Sequence, residues 1–161
     1  MNEVEIYQAG IDDIDTITEW RMEVLAEVFG ADAVCSIGMD RLRKANIAYY
    51  KESLSKGNHI ACFARCGNDV IGCGGVCFQS ELPSPDNPSG RCAYLMNIYV
   101  RKNLRGNKIG SIVVRWLIDE IKKRNVTKIY LETSKSGYKM YQALGFVDMK
   151  DMMIYDNNMQ E

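Results

Sequence analysis

Arg101-Lys102-Asn103-Leu104-Arg105-Gly106-Asn107-Lys108-Ile109-Gly110-Ser111 joins two apolar stretches and carries four cations. It reads as the end of a strand, a glycine-punctuated loop and the opening of a helix. A helix N-terminus already presents unpaired N–H groups and about half a positive charge, so further cations there are unfavourable unless an anion joins them. Backbone amides of a Gly-rich turn, a helix dipole and nearby Lys or Arg are the parts from which phosphate sites are made. The stretch is therefore read as a site for a phosphorylated small molecule, the alternative being a solvated basic loop that merely caps its helix.

Working outward, a strand is expected near Val4 to Ala9. Asp12 and Asp13 then offer N-caps to a helix from Ile14 to Phe29 with Ile14, Ile17, Met22, Leu25 and Val28 as its apolar stripe. A break spans Gly30 to Asp40, and a second helix runs from Arg41 to Ser55, ended by Lys56-Gly57-Asn58. Ile60 to Arg65 and Val70 to Phe78 form a hairpin about Cys66-Gly67-Asn68-Asp69. All three prolines fall between Leu82 and Gly90, an irregular loop before a strand from Cys92 to Val100. After the basic loop come a largely covered helix from Ile112 to Arg124, a strand from Lys128 to Thr133 and a short helix from Gly137 to Leu144 capped by Gly145. Phe146 to Asp148 and Met152 to Tyr155 are expected as terminal strands. The order implies an α/β fold, a mixed sheet with helices on both faces, in one domain spanning residues 1–161.

Twenty Lys plus Arg against 21 Asp plus Glu leave a net charge of -1, so no global positive field draws in nucleic acid or an anionic membrane. The opening Met1-Asn2-Glu3-Val4-Glu5 has no signal-peptide character and no apolar run approaches the roughly 18 residues of a membrane span, so a soluble cytoplasmic protein is expected. The six cysteines contain no Cys-x-x-Cys pair and His59 is the lone histidine, which argues against a metal site and for small buried hydrophobes; a Cys–His59 nucleophile pair is the other reading.

ATP chemistry of the P-loop type is set aside because no Lys follows Gly110. A dinucleotide fold would use Glu132 at the next strand's end, but Gly106 and Gly110 do not make Gly-x-Gly-x-x-Gly.

Tyr94-Leu95-Met96-Asn97-Ile98-Tyr99-Val100, the Arg105-to-Gly110 loop and Tyr141-Gln142-Ala143-Leu144-Gly145-Phe146 together resemble the GNAT family of acyl-CoA-dependent N-acyltransferases. The resemblance covers most of the chain and is most specific from about Leu95 to Phe146. It implies a mostly antiparallel central sheet with a splayed parallel strand pair, and acetyl-CoA as cofactor. It also implies transfer of the acetyl group to a primary amine of a small molecule or protein by direct attack through a tetrahedral intermediate. Arg105 and the amides of Gly106, Asn107, Lys108, Ile109, Gly110 and Ser111 would then wrap the pyrophosphate. Backbone groups of Ile98 and Val100 would pair with the pantetheine arm, and the Ile98 N–H would bind the developing oxyanion. Tyr141 would protonate the departing thiolate. The same resemblance admits a homodimer and identifies no interface for it.

Three positions depart from the family pattern. Lys108 stands where a glycine is usual, Ser134 where many relatives carry an asparagine contacting the cofactor arm, and Asn97 where some carry a glutamate base. An amide accepts no proton at neutral pH but can hold a water or the substrate, so Asn97 is assigned to the substrate. The base stays open among Glu132, Glu23 and bulk water, and Tyr138 reads as structural. Glu19, Glu23, Glu27 and Asp32 read as a solvated helix face that could favour a cationic amine, whereas Arg21 could equally bind a carboxylate. The competing class is a non-catalytic coenzyme A-binding regulatory or assembly module with this fold.

Overall fold

A computed structural model of the chain describes residues 3–155. The strands are β1 Val4–Ala9, β2 His59–Cys66, β3 Asp69–Ser80, β4 Arg91–Val100 and β5 Lys128–Leu131; the helices are α1 Ile14–Phe29, α2 Ala31–Ile37, α3 Met39–Ser55, α4 Ile109–Lys123 and α5 Tyr138–Ala143. They form a mixed sheet in the order β1-β2-β3-β4-β5, antiparallel up to β4 and parallel between β4 and β5. The α/β expectation with helices on both faces holds. No helix among the described residues is long and apolar enough to cross a membrane.

Side chains alternate across β2 as the two-residue strand period requires. Ile60, Cys62 and Ala64 turn to α4, whose Val113, Val114, Leu117 and Ile121 are wholly buried with Val76, Ala93 and Leu95. Ala61 and Phe63 turn the other way, to Ile17, Trp20 and Val24 of α1 and Tyr50 of α3. Gly74 permits the closeness of α4, because a Cβ there would lie 2.5 Å from Val113 Cγ1. Of the stripe read along α1, Ile14, Ile17, Met22 and Leu25 are buried, but Val28 is exposed, and Trp20 and Val24 are buried in addition.

Several expected boundaries change. The break after α1 holds a helix, α2, set between Gly30 at φ 87° and Gly38 at φ 90°, and α3 begins at Met39 rather than Arg41. Val34 alone anchors α2, against Met22, Leu25 and Leu42, and one buried residue makes no periodic signal. Asp13 is the N-cap residue of α1, but its side chain makes no cap hydrogen bond; its carboxylate accepts the Gly10 N–H at 2.8 Å and the Tyr7 hydroxyl at 2.9 Å across a 3-10 turn, Ile11–Asp13. Phe146 to Asp148 and Met152 to Tyr155 form no strands. Phe146 packs edge-on to Tyr141, while Val147 and Met152 to Tyr155 lie exposed, because β-propensity yields a strand only where a partner edge is presented.

His59 sits inside the second core, 4% exposed, with its Nδ1 3.1 Å from the Tyr49 hydroxyl and its ring edge-on to Tyr49 and Tyr50. Burial, and then the charge of Arg21, hold it down to about 4, against an ordinary 6.5. Between those values the unfolded chain binds a proton that the folded chain does not. Stability therefore rises with pH across that window and is lost as pH falls through it, by about 3 kcal/mol. Proton NMR of this single imidazole will show no titration above pH ~5 in the folded state. Gly74→Ala will lower the urea midpoint by an amount equivalent to about 1–3 kcal/mol, since α4 or the sheet must give way.

Candidate functional site

The ladder between β3 and β4 pairs Cys73 with Tyr99 and then Gly75 with Met96, so Gly74 faces two residues, Asn97 and Ile98. This is a β-bulge, and Asn97 takes its left-handed conformation at φ 58°. Asparagine tolerates that region better than other non-glycine residues. Pairing between β4 and β5 runs from Cys92↔Lys128 to Leu95↔Leu131 and stops immediately before the bulge. β5 ends at Leu131, so beyond Leu95 the rest of β4 continues beside β3 alone and its other edge is a gap in the sheet. The Arg101 N–H donates to Ile71 O on β3, so by ladder alternation Ile98 and Val100 turn their backbone groups to the gap.

The basic loop closes the end of that gap. A 3-10 turn, Lys102–Leu104, is followed by Gly106 at φ 85° and Lys108 at φ 62°. Asn107 Nδ2 donates to Leu104 O and so shapes the loop from within. Lys108 is the N-cap of α4, and its carbonyl accepts the Ile112 N–H at 3.1 Å. Ahead of that bond the amides of Ile109, Gly110 and Ser111 have no side-chain cap, and the first turn contains no acid. Gly110 brings this end against α5, since a Cβ would lie 3.0 Å from Met140 Sδ.

Arg105 is tied to the scaffold. Its Nε donates to Val100 O at 2.9 Å, its guanidinium pairs with Glu27 of α1, and it lies over the Tyr99 ring at 5.5 Å. The Tyr99 hydroxyl donates to Glu27 at 2.8 Å, with Glu23 at 3.2 Å. Burial would raise the Glu27 carboxyl, but the hydrogen bonds from Arg105 and Tyr99 outweigh it and hold it below its ordinary value. Burial and the same carboxylate push the Tyr99 phenol up.

The acids of α1 are not a free solvated face. Glu19 pairs with Arg43, Glu23 with Arg101 and Glu27 with Arg105. Arg101 also lies over the Trp20 ring at 4.6 Å. Trp20 and Tyr99 carry no local sequence signal of their place in this network, whereas the four-residue spacing of the three glutamates marks one helix face.

Tyr141 of α5 is 8% exposed and burial raises its phenol to about 12. Tyr138 instead donates to the Asp148 carboxylate at 2.9 Å. Ser134 Oγ lies 2.9 Å from Ser136 Oγ and accepts the Gly137 N–H at 3.3 Å, in the turn before α5. Glu132 is exposed near Tyr94, whose phenol rises through burial and that charge. Asn97 accepts a hydrogen bond from Arg21 Nη1 at 3.1 Å, and its own Nδ2 points to Cys73 Sγ at 3.8 Å. The structure thus brings Asn97, Ile98, Val100 and the 105–111 loop together along one strand and its exit. Cys62, Cys73 and Cys92 are buried, burial pushes the Cys62 thiol up to about 12, and His59 bonds to Tyr49 rather than to sulfur, which removes the Cys–His reading.

Lys108 holds a conformation that costs a side-chain-bearing residue about 1–2 kcal/mol, partly offset in glycine by greater freedom when unfolded. Lys108→Gly will raise stability by about 0.5–1 kcal/mol, read as a higher urea midpoint at unchanged slope.

The model of the Acetyltransferase (GNAT) family matches residues 22–146. No curated protein sequence matches the chain. Among solved structures, a predicted acetyltransferase from Clostridium acetobutylicum, determined with acetyl-CoA, is similar at 25% identity and a TM-score of 0.85, with 96% of each chain covered. A GCN5-related N-acetyltransferase from Ralstonia eutropha JMP134 shares the fold at 19% identity and a TM-score of 0.80, covering 96% of this chain and 99% of that one. Glucosamine-6-phosphate N-acetyltransferase from Arabidopsis thaliana does so at 18% identity and a TM-score of 0.70, covering 98% of this chain and 100% of that one. With a strand splayed at a bulge, an uncapped helix N-terminus behind a basic loop, and a family match over most of its length, the chain belongs to the GNAT acetyltransferase family.

Proposed function

We propose that the protein is an N-acetyltransferase that takes acetyl-CoA as donor and a primary amine as acceptor. The observation that carries this reading is the gap beyond Leu95↔Leu131, which ends at the uncapped amides of Ile109, Gly110 and Ser111. Those residues fit a diphosphate: several N–H donors converge at a helix N-terminus without a competing acid, beside Lys102 and Lys108. Arg105, bound to Val100 O, fixes the loop to the strand exit, and the Gly106–Ser111 backbone does the binding.

The Ile98 backbone and the Val100 N–H offer extended-strand groups to the amide-bearing arm of the donor, as an added strand would use them, while Val100 O is held by Arg105. The donor supplies an activated thioester at the inner end of that arm. There the Ile98 N–H, fixed by the bulge, stabilises the developing oxyanion, and because it is preorganised no rearrangement accompanies the reaction. Asn97 and Arg21 stand beside it on the acceptor side.

Tyr141 serves the leaving sulfur. At about 12 its phenol stays protonated throughout the working pH range, yet it is a weaker acid than free tyrosine. Its contribution is a hydrogen bond that strengthens as charge gathers on sulfur, with transfer completed as the amine gives up its own proton. Ser134 supports the turn that sets α5 and its Tyr141. Asn97 cannot act as base, and Glu23 is held by Arg101 with the Tyr99 hydroxyl close by, so the amine proton leaves through water.

Thermal unfolding with acetyl-CoA, coenzyme A, NAD and ATP tests the cofactor. At about 100 times its dissociation constant the correct ligand adds near 2.7 kcal/mol, so stabilisation by the coenzyme A pair alone is expected, and a folded protein indifferent to both would sink the reading. Tyr141→Phe will lower kcat by about 10²-fold or more with acetyl-CoA affinity nearly unchanged. Unaltered turnover would remove Tyr141 from the mechanism. Tight acetyl-CoA binding without turnover on any amine would select the non-catalytic binding module instead.

A further inference from the structure

Arg21 differs from the other arginines around α1. Arg43, Arg101 and Arg105 each pair with a glutamate of that helix, whereas Arg21, half-buried, makes one neutral hydrogen bond, to Asn97 Oδ1, and no ion pair among the described residues. Glu19 and Glu23 are two positions away and so face elsewhere on the helix. Its charge acts on Tyr50 of α3, His59 of β2, Cys73 of β3 and Tyr94 of β4, and the carboxylates that act on the same groups, Glu23 on Cys73 and Glu132 on Tyr94, do not pair with it. A guanidinium has five N–H donors in a planar fork, and one that is partly withdrawn from water is stabilised by an anion in its plane.

We propose that Arg21 binds the carboxylate of the acceptor, so that the substrates are small amines bearing a carboxylate, α-amino acids or short peptides among them. This inference rests on the acetyl-transfer reading, which places the reacting carbonyl at Ile98, next to the residue Arg21 holds. A carboxylate matches the charge and shape of one free guanidinium. A phosphate would call for further cations, and Arg101 and Arg105 are already committed to Glu23 and Glu27. A cationic amine without an anion would be repelled. The same positive charge favours the neutral amine that attack requires, as it favours neutral His59.

The test uses the full chain, after acetyl-CoA binding has been measured by thermal shift. Thiol release is then followed with matched amines: an amino acid, its amide, its decarboxylated amine and an amine bearing a phosphate, across a series of side chains. A charge-assisted hydrogen bond to a carboxylate contributes about 1.5–3 kcal/mol, so kcat/KM for the carboxylate members should exceed their amides and decarboxylated partners by about 10- to 150-fold. Arg21→Gln should compress that ratio to within about 3-fold, mainly through KM, and Arg21→Lys should recover part of it. Equal use of carboxylate-bearing and decarboxylated amines by the unaltered protein overturns the proposal, as does a preference for the phosphate. A carboxylate preference that survives Arg21→Gln also overturns it, and so does the absence of turnover across the whole series. If Arg21→Gln does not fold, the unaltered protein's ratio and Arg21→Lys decide. Failure of acetyl-CoA to stabilise the protein strikes the acetyl-transfer reading itself, which separates the two failures.

Discussion

A single extra residue in β4 organises this molecule. Because Asn97 and Ile98 together face Gly74, the strand bends where its pairing with β5 ends. Three features depend on that bend: the gap in the sheet beyond Leu95, the direction of the Ile98 and Val100 backbone groups, and the placement of the Asn97 side chain under Arg21. Gly74 contributes from the opposite side, where the lack of a Cβ lets Val113 and Leu117 of α4 seat beneath the bulge. Removing the asparagine's tolerance of φ 58° or filling the space at Gly74 would strain the same point from two directions.

The charge distribution follows from the same geometry. Three glutamates at four-residue spacing run down one face of α1, and each meets an arginine from a distant part of the chain. Two of those arginines, Arg101 and Arg105, leave the end of β4, so α1 holds the strand exit and the loop through Glu23, Glu27 and the shared Tyr99 hydroxyl. Exposed pairs contribute little to stability singly. Their effect here is positional, since they neutralise the cations nearest the strand, whereas Lys102 and Lys108 make no ion pair among the described residues.

Much of this was legible in the sequence. The bounds of β1 and α1 coincide with the expected ones, the hairpin turns at Gly67-Asn68 inside the expected four residues, and Gly145 at φ 95° closes α5. These features are local: helical periodicity, a glycine where φ is positive, a two-residue turn. The basic loop was legible for the same reason, being a charge anomaly next to a helix start. α2 leaves no periodic signal because its one buried residue is Val34, and apolar character at Met152, Met153, Ile154 and Tyr155 makes no strand because no partner edge meets them among the described residues.

The sequence alone determined the five strands of the sheet in order, the helices α1, α3, α4 and α5, the place of the basic loop between β4 and α4, and the residues from Leu95 to Phe146 that carry the family resemblance. It did not reveal that Asn97 is a bulge residue in a left-handed conformation, that Arg105 reaches back to Glu27, or that Arg21 bonds to Asn97 and makes no ion pair among the described residues. Those facts depend on which strand residue lies opposite which and on contacts between positions 76 to 78 residues apart. Periodicity and capping act over a few residues and leave their pattern in the chain, whereas register and long-range pairing are chosen only when the sheet and α1 pack together.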